Sequence, residues 1–172
     1  MATFQLHPLR IRDLLVDASG SRLRNILVAW PIATVPSLLL LPPLVYTAKH
    51  VLHLQPPHIA SPYLLIVAAV IVAPPLETGV MLLVYYLLHF VVWRNRTLRV
   101  LILAVLAASA HVSEGGWLHV IGVFWPFLVM SIALAAWEQR RVRDAFIVVT
   151  AIHALGNATL FIVLIVFAMG AW

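Results

Sequence analysis

From Ser61 to Trp93 the chain stays apolar for 33 residues, and it carries one acidic side chain inside that run, Glu77, directly after Pro74-Pro75. As a straight helix the run would measure roughly 50 Å against a hydrocarbon core of about 30 Å, so it must bend, tilt or project. A carboxylate at such depth is retained where it faces a polar interior and does work. Glu77 is therefore the first candidate functional residue. The prolines remove two backbone donors, so the helix is expected to break before Glu77 and restart with it in the first turn. The positive end of a helix and burial act on its proton in opposite senses, which is the balance a general base needs.

The rest of the sequence has the same character. Of its 172 residues, 63% are hydrophobic and 10% charged, which excludes an ordinary soluble domain. No cysteine is present, so thiolate nucleophiles, disulfides and Cys-based metal sites are ruled out. The opening residues, with Arg10, Arg12, Asp13 and Asp17, do not read as a signal peptide. The net charge of +5 does not call for nucleic acid, because ten of the eleven basic residues fall in three groups between apolar stretches. These are Arg10, Arg12, Arg22 and Arg24, then Arg94, Arg96 and Arg99, then Arg140, Arg141 and Arg143. That placement is the positive-inside pattern.

The fold class expected is an all-α, polytopic transmembrane helical bundle with about five crossings. Residues 1–25 form a cytoplasmic, amphipathic N-terminal segment (Phe4 to Asp17 as an interfacial helix), and residues 26–172 the transmembrane domain. The first span, about Ile26 to Ala48, holds Pro31, Pro36 and Pro42-Pro43, and its freed carbonyls need neighbours or water. Lys49 to Ala60 reads as an external loop in which His50, His53 and His58 are a weak metal motif. The second crossing is the proline-broken run, since two full crossings there would put the Arg94 cluster on the wrong side. The third spans Thr97 to about His111, a Ser113 to Gly116 turn follows, the fourth covers Trp117 to Trp137, and the fifth Ala145 to Gly170. The N-terminus is then cytoplasmic, the C-terminus outside, and the protein lies in an inner (cytoplasmic) membrane of prokaryotic type.

Three more polar residues occur at depth: His111, His153 and Asn157. His153 and Asn157 are four apart on one helical face, with Thr150 on the same stripe. Each alone reads equally well as interhelical glue. Together with Glu77 they suggest one pocket on three helices. His89 and His119 read as structural, and Trp30, Trp117, Trp125 and Trp137 as packing or interfacial anchors.

The segments Ala-Pro-Pro-Leu-Glu-Thr (73–78), Ala-Ala-Ser-Ala-His (107–111) and His-Ala-Leu-Gly-Asn (153–157) resemble the three core motifs of the CPBP (ABI) intramembrane proteases, the type II CAAX prenyl endopeptidases and bacteriocin-processing enzymes. The resemblance implies catalytic roles for Glu77, His111, His153 and Asn157. It departs where Thr78 replaces a second Glu, Leu82 an Arg and Ala107 a Phe. It implies hydrolysis of a peptide bond in a membrane-anchored protein or peptide by a Glu/His-activated water, with imidazole and amide donors for the oxyanion. No cofactor is expected; the alternative is a zinc ion held by Glu77, His111 and His153. Two other functions compete: an inactive CPBP-like scaffold or chaperone for a partner's transmembrane segment, and a proton-coupled transporter relaying through Glu77 and His153, which the lack of an inverted repeat disfavours. Oligomeric state is left open.

Overall fold

The computed structural model describes residues 15, 18–51, 62–92 and 95–170. All regular structure there is helical: α1 (Arg22–His50), α2 (Pro62–Val67), a π-helical turn (Ala68–Val72), α3 (Ala73–Val91), α4 (Arg96–Ser109), α5 (Val112–Glu138) and α6 (Val142–Gly170). Four stretches are long and apolar enough to cross a membrane: Arg22–Leu40, Ala68–Val91, Gly116–Glu138 and Val142–Val163. They mark an integral membrane protein. Large apolar side chains such as Leu39, Phe90, Leu83 and Ile162 lie on the outside of the bundle, as they do where the solvent is lipid. The Phe4 to Asp17 segment, His53 and His58 fall outside the described residues, apart from a buried helical Leu15.

The N-termini follow from local chemistry. Ser21 accepts from the Arg24 N–H at 3.2 Å to start α1, and Asn95 accepts from Leu98 at 2.9 Å to start α4. α1 therefore begins four residues before the expected span and continues through Pro31, Pro36 and Pro42-Pro43. α4, with 14 residues, is about 21 Å long, so the expected third span is shorter than the hydrocarbon core. The expected Ser113 to Gly116 turn is also displaced. The chain reverses at Ala110-His111, and residues 113–116 belong to the start of α5. Gly116 there has φ +68°, the left-handed region open to glycine without steric cost.

α5 is apolar on all sides and packs against α1, α4 and α6, so it is the buried centre of the bundle. Its Phe127, Val129, Met130, Leu134 and Trp137 meet Leu103 of α4 and Val148, Val149 and Ile152 of α6 in one core.

The prolines explain how α1 and α5 are joined. Pro36 cannot donate to Ile32, and the Ile32 carbonyl instead accepts from Trp125 Nε1 at 2.7 Å. Pro126 cannot donate to Gly122, and that carbonyl accepts from Ser37 Oγ at 3.0 Å. The two helices thus cap each other's proline-freed carbonyls. Trp125 is accordingly more than the packing or interfacial anchor expected. Trp30 likewise donates from Nε1 to Thr159 Oγ1 at 3.2 Å, tying α1 to α6.

One end of the bundle gathers the arginines. Arg22 pairs with Asp144 at 3.3 Å, Arg96 donates to the Ala135 carbonyl, and Arg140 donates to the carbonyls of Ala18 and Gly20. Arg99 donates to His89 Nδ1 at 2.8 Å and lies over the Tyr85 ring, which places His89 at this end and away from Glu77.

If Ser37 serves to cap Gly122, Ser37→Ala should lower stability by about 1 kcal/mol, and by clearly less in a Pro126→Ala background where residue 126 regains an N–H. Unfolding of the four proteins in detergent measures this coupling. Purely additive costs would exclude the capping role.

Candidate active site

The α2, π-turn and α3 segments form one rod, because Val67, Val72 and Ala73 all keep right-handed helical backbone angles. The expected break is therefore a widening. Ala73 N–H donates to Ala68, five residues back, in place of the usual fourth. Helices absorb prolines in this way when the ladder shifts register. α3 then opens with Ala73, Pro74 and Pro75, so Glu77 lies just past the first turn and not within it.

The shift has a consequence for Ala69. Its ordinary donor, Ala73, is committed to Ala68, and its donor in the π register would be Pro74, which has no N–H. The free carbonyl accepts from Asn157 Nδ2 of α6 at 2.7 Å. Asn157 is thus fixed by the proline turn, and His153 lies one turn earlier on the same face.

Glu77 borders the inward face of α3, made by Pro74, Thr78, Met81, Leu82 and Tyr85. Its Oε2 is buried and lies 3.6 Å from His111 Nε2 and 3.6 Å from His153 Nε2. Counted from the arginine end, Glu77 is 14 residues above Val91, His111 15 above Arg96 and His153 11 above Val142. At about 1.5 Å per residue these heights are roughly 21, 22 and 16 Å. The shortness of α4 is what stops His111 at the level of Glu77. A non-helical turn at that depth is tolerated where it is buried in protein or lines a polar cavity.

The imidazoles are oriented. His111 Nδ1 lies 2.9 Å from the Ala107 carbonyl, which can only accept, so Nδ1 carries a proton and Nε2 is the nitrogen that faces Glu77. Phe127 of α5 packs against both histidines, with centroids 4.9 Å from His111 and 5.9 Å from His153. His119 is 6.2 Å from His111 across a tilted ring contact, which brings this expected structural residue next to the site. Phe127 carried no sequence signal, being one apolar residue among many in α5. Two of the three positions that depart from the resembled motifs are filled by core residues, Thr78 fully buried and Leu82 nearly so.

Among the described residues no group of three or more His, Asp or Glu is placed to hold a metal ion. Glu77, His111 and His153 do not form such a group. What the three do offer is one carboxylate oxygen between two imidazole nitrogens, at separations one water can bridge.

No protein-family model matches this chain, and neither a curated protein nor a solved structure matches it significantly.

The Asn157 contact separates two roles for that residue. Asn157→Asp puts an acceptor against an acceptor and should cost about 1–3 kcal/mol of stability, more than Asn157→Ala. Thermal unfolding in detergent checks the order. Unchanged stability with Asp would show that the Ala69 contact contributes nothing.

Proposed function

We propose that this protein is an intramembrane endopeptidase of the type its motifs resemble, cleaving a membrane-anchored protein or peptide with a metal-free, Glu/His-activated water. The observation that carries the reading is that both imidazole Nε2 atoms lie 3.6 Å from one oxygen of Glu77, the three side chains coming from α3, α6 and the turn between α4 and α5. Glu77 takes a proton from water, and the water oxygen adds to the scissile carbonyl. An imidazole N–H and the Asn157 amide donate to the oxyanion. One of the two Asn157 N–H groups is already held by Ala69, so the second is the one available. The C–N bond then breaks as the proton passes to the leaving amine.

In this reading the arginine end faces the cytoplasm of a prokaryotic cell, α4 is a short third crossing, and five crossings leave the end of α6 outside. The buried Thr78 and Leu82, standing where the motif has Glu and Arg, favour the second reading, an inactive scaffold that binds a partner's transmembrane segment.

Cleavage of a tagged single-span protein by the reconstituted enzyme distinguishes the two. Glu77→Gln should reduce the rate by about 10²–10⁴-fold, and adding His153→Ala should lower it little further, because the groups act as a unit. Both variants should remain folded. Strong chelators should leave the rate unchanged, whereas a zinc enzyme would lose activity. Full cleavage by Glu77→Gln would remove the assignment. Orientation is testable separately, since the chain has no cysteine of its own. A cysteine at Gln139 should be shielded from an impermeant maleimide in intact cells and one at Val51 labelled; the reverse pattern would invert the topology.

A further inference from the structure

The arginine end also contains a cavity of about 580 Å³ between the starts of α1 and α6 and the end of α5. Arg22, Arg140, Arg141 and Arg143 line it against a single acid, Asp144. Membrane topology needs only that arginines stay on one side, and it does not require a cavity. The Arg96 and Arg99 side chains are used inside the fold, on the Ala135 carbonyl and on His89 and Tyr85. Around the cavity the assignment differs. Asp144 is engaged by Arg22, and Arg140 by the 18–20 turn, while Arg141 and Arg143 are exposed without a side-chain partner among the described residues. A second observation points the same way. Trp137, which also lines the cavity, is 1% exposed, and its indole N–H has no hydrogen-bond partner among the described residues. A buried donor of that kind is costly unless an acceptor completes it.

We propose that this cavity binds a phosphate group, and that its natural source is the headgroup of an anionic phospholipid. Guanidinium groups match phosphate oxygens with paired donors, and the indole N–H adds a neutral one. The site lies where helix ends leave the membrane, the level at which basic pockets between helices meet lipid headgroups. The proposal is independent of the peptidase reading, because Glu77, His111, His153 and Asn157 take no part in it.

The test uses the full chain, reconstituted in phosphatidylcholine vesicles containing a minority of phosphatidylglycerol, re-extracted in mild detergent and examined by native mass spectrometry. The wild type should retain phosphatidylglycerol, and Arg141→Ala/Arg143→Ala should retain at least about tenfold less, with phosphatidylcholine adducts equal in both. Both positions are exposed, so the double variant keeps the fold, and matching thermal unfolding curves without lipid check this. Trp137→Phe, which removes the indole N–H, should weaken retention by a few-fold. Inorganic phosphate titrated into the lipid-free protein is the second arm. Binding of phosphate that the double variant loses, without phosphatidylglycerol retention, keeps the phosphate site and assigns it a soluble source. Equal behaviour of wild type and double variant toward both probes, or binding of neither, overturns the proposal.

Discussion

A carbonyl that loses its helical donor to proline has no water to turn to in hydrocarbon, and this constraint shapes the bundle. Leaving such a group bare costs several kcal/mol, so its helix must find a donor on a neighbour. Ile32, Gly122 and Ala69 are three cases, answered by Trp125, Ser37 and Asn157. Helices in lipid have no hydrophobic force to bring them together, and packing and polar contacts must supply the specificity. Here the prolines supply it. Pro36, Pro126 and Pro74 each free an acceptor that a particular side chain on another helix satisfies, and α1 and α5 do so for each other.

The same constraint reaches the candidate site through Ala69. A π turn holds one residue more than an α turn, which advances the phase of the following helix by about 100°. That phase decides which α3 residues face inward, and it sets Glu77 beside the buried row from Pro74 to Tyr85. Asn157, drawn to Ala69, sets the rotation and height of α6, and His153 follows as a neighbour on the same face. The segment that carries the carboxylate and the helix that carries one of the imidazoles are thus joined by one hydrogen bond, from Asn157 to Ala69. His111 arrives by another route, through the short helix α4 and a turn that ends it at the height of Glu77.

What could be read from the sequence follows from this division. Hydropathy and arginine spacing act along the chain, so the apolar helices and the gathering of arginines at one end were legible. That Glu77, His111 and His153 lie at similar heights along the bundle was legible for the same reason, being a matter of counting residues along helices. Capping across helices was not. Nothing local to Ser37 or Trp125 says which carbonyl it meets, since that depends on how two helices rotate against each other. The turn at Ala110-His111 was misplaced because Ser-Glu-Gly-Gly carries the stronger turn composition, yet α5 absorbs it with Gly116 at positive φ. Phe127 was invisible because a core ring in contact with two histidines has the same sequence signature as any other core ring.

Two of the three departures from the resembled motifs, Thr78 and Leu82, bear on whether the proposed chemistry at Glu77 can work without a Glu–Arg pair beside it. A buried Glu–Arg pair pays a desolvation cost that its mutual attraction only roughly offsets, and removing one partner alone leaves an uncompensated charge. Joint replacement by well-packed neutral residues avoids that penalty and is often neutral. Thr78 and Leu82 meet this condition: both are buried, both lie on the inward face of α3, and Leu82 belongs to the same core as Met81 and Tyr85. What a neighbouring charge pair would do for Glu77, fixing its orientation, is here divided among contacts the chain still has. The π turn sets its helical phase, His111 and His153 face its inner oxygen, and Phe127 packs against both rings. In the proposed peptidase reading, neutral residues at these two positions change how the carboxylate is held and leave the carboxylate and imidazole groups in place.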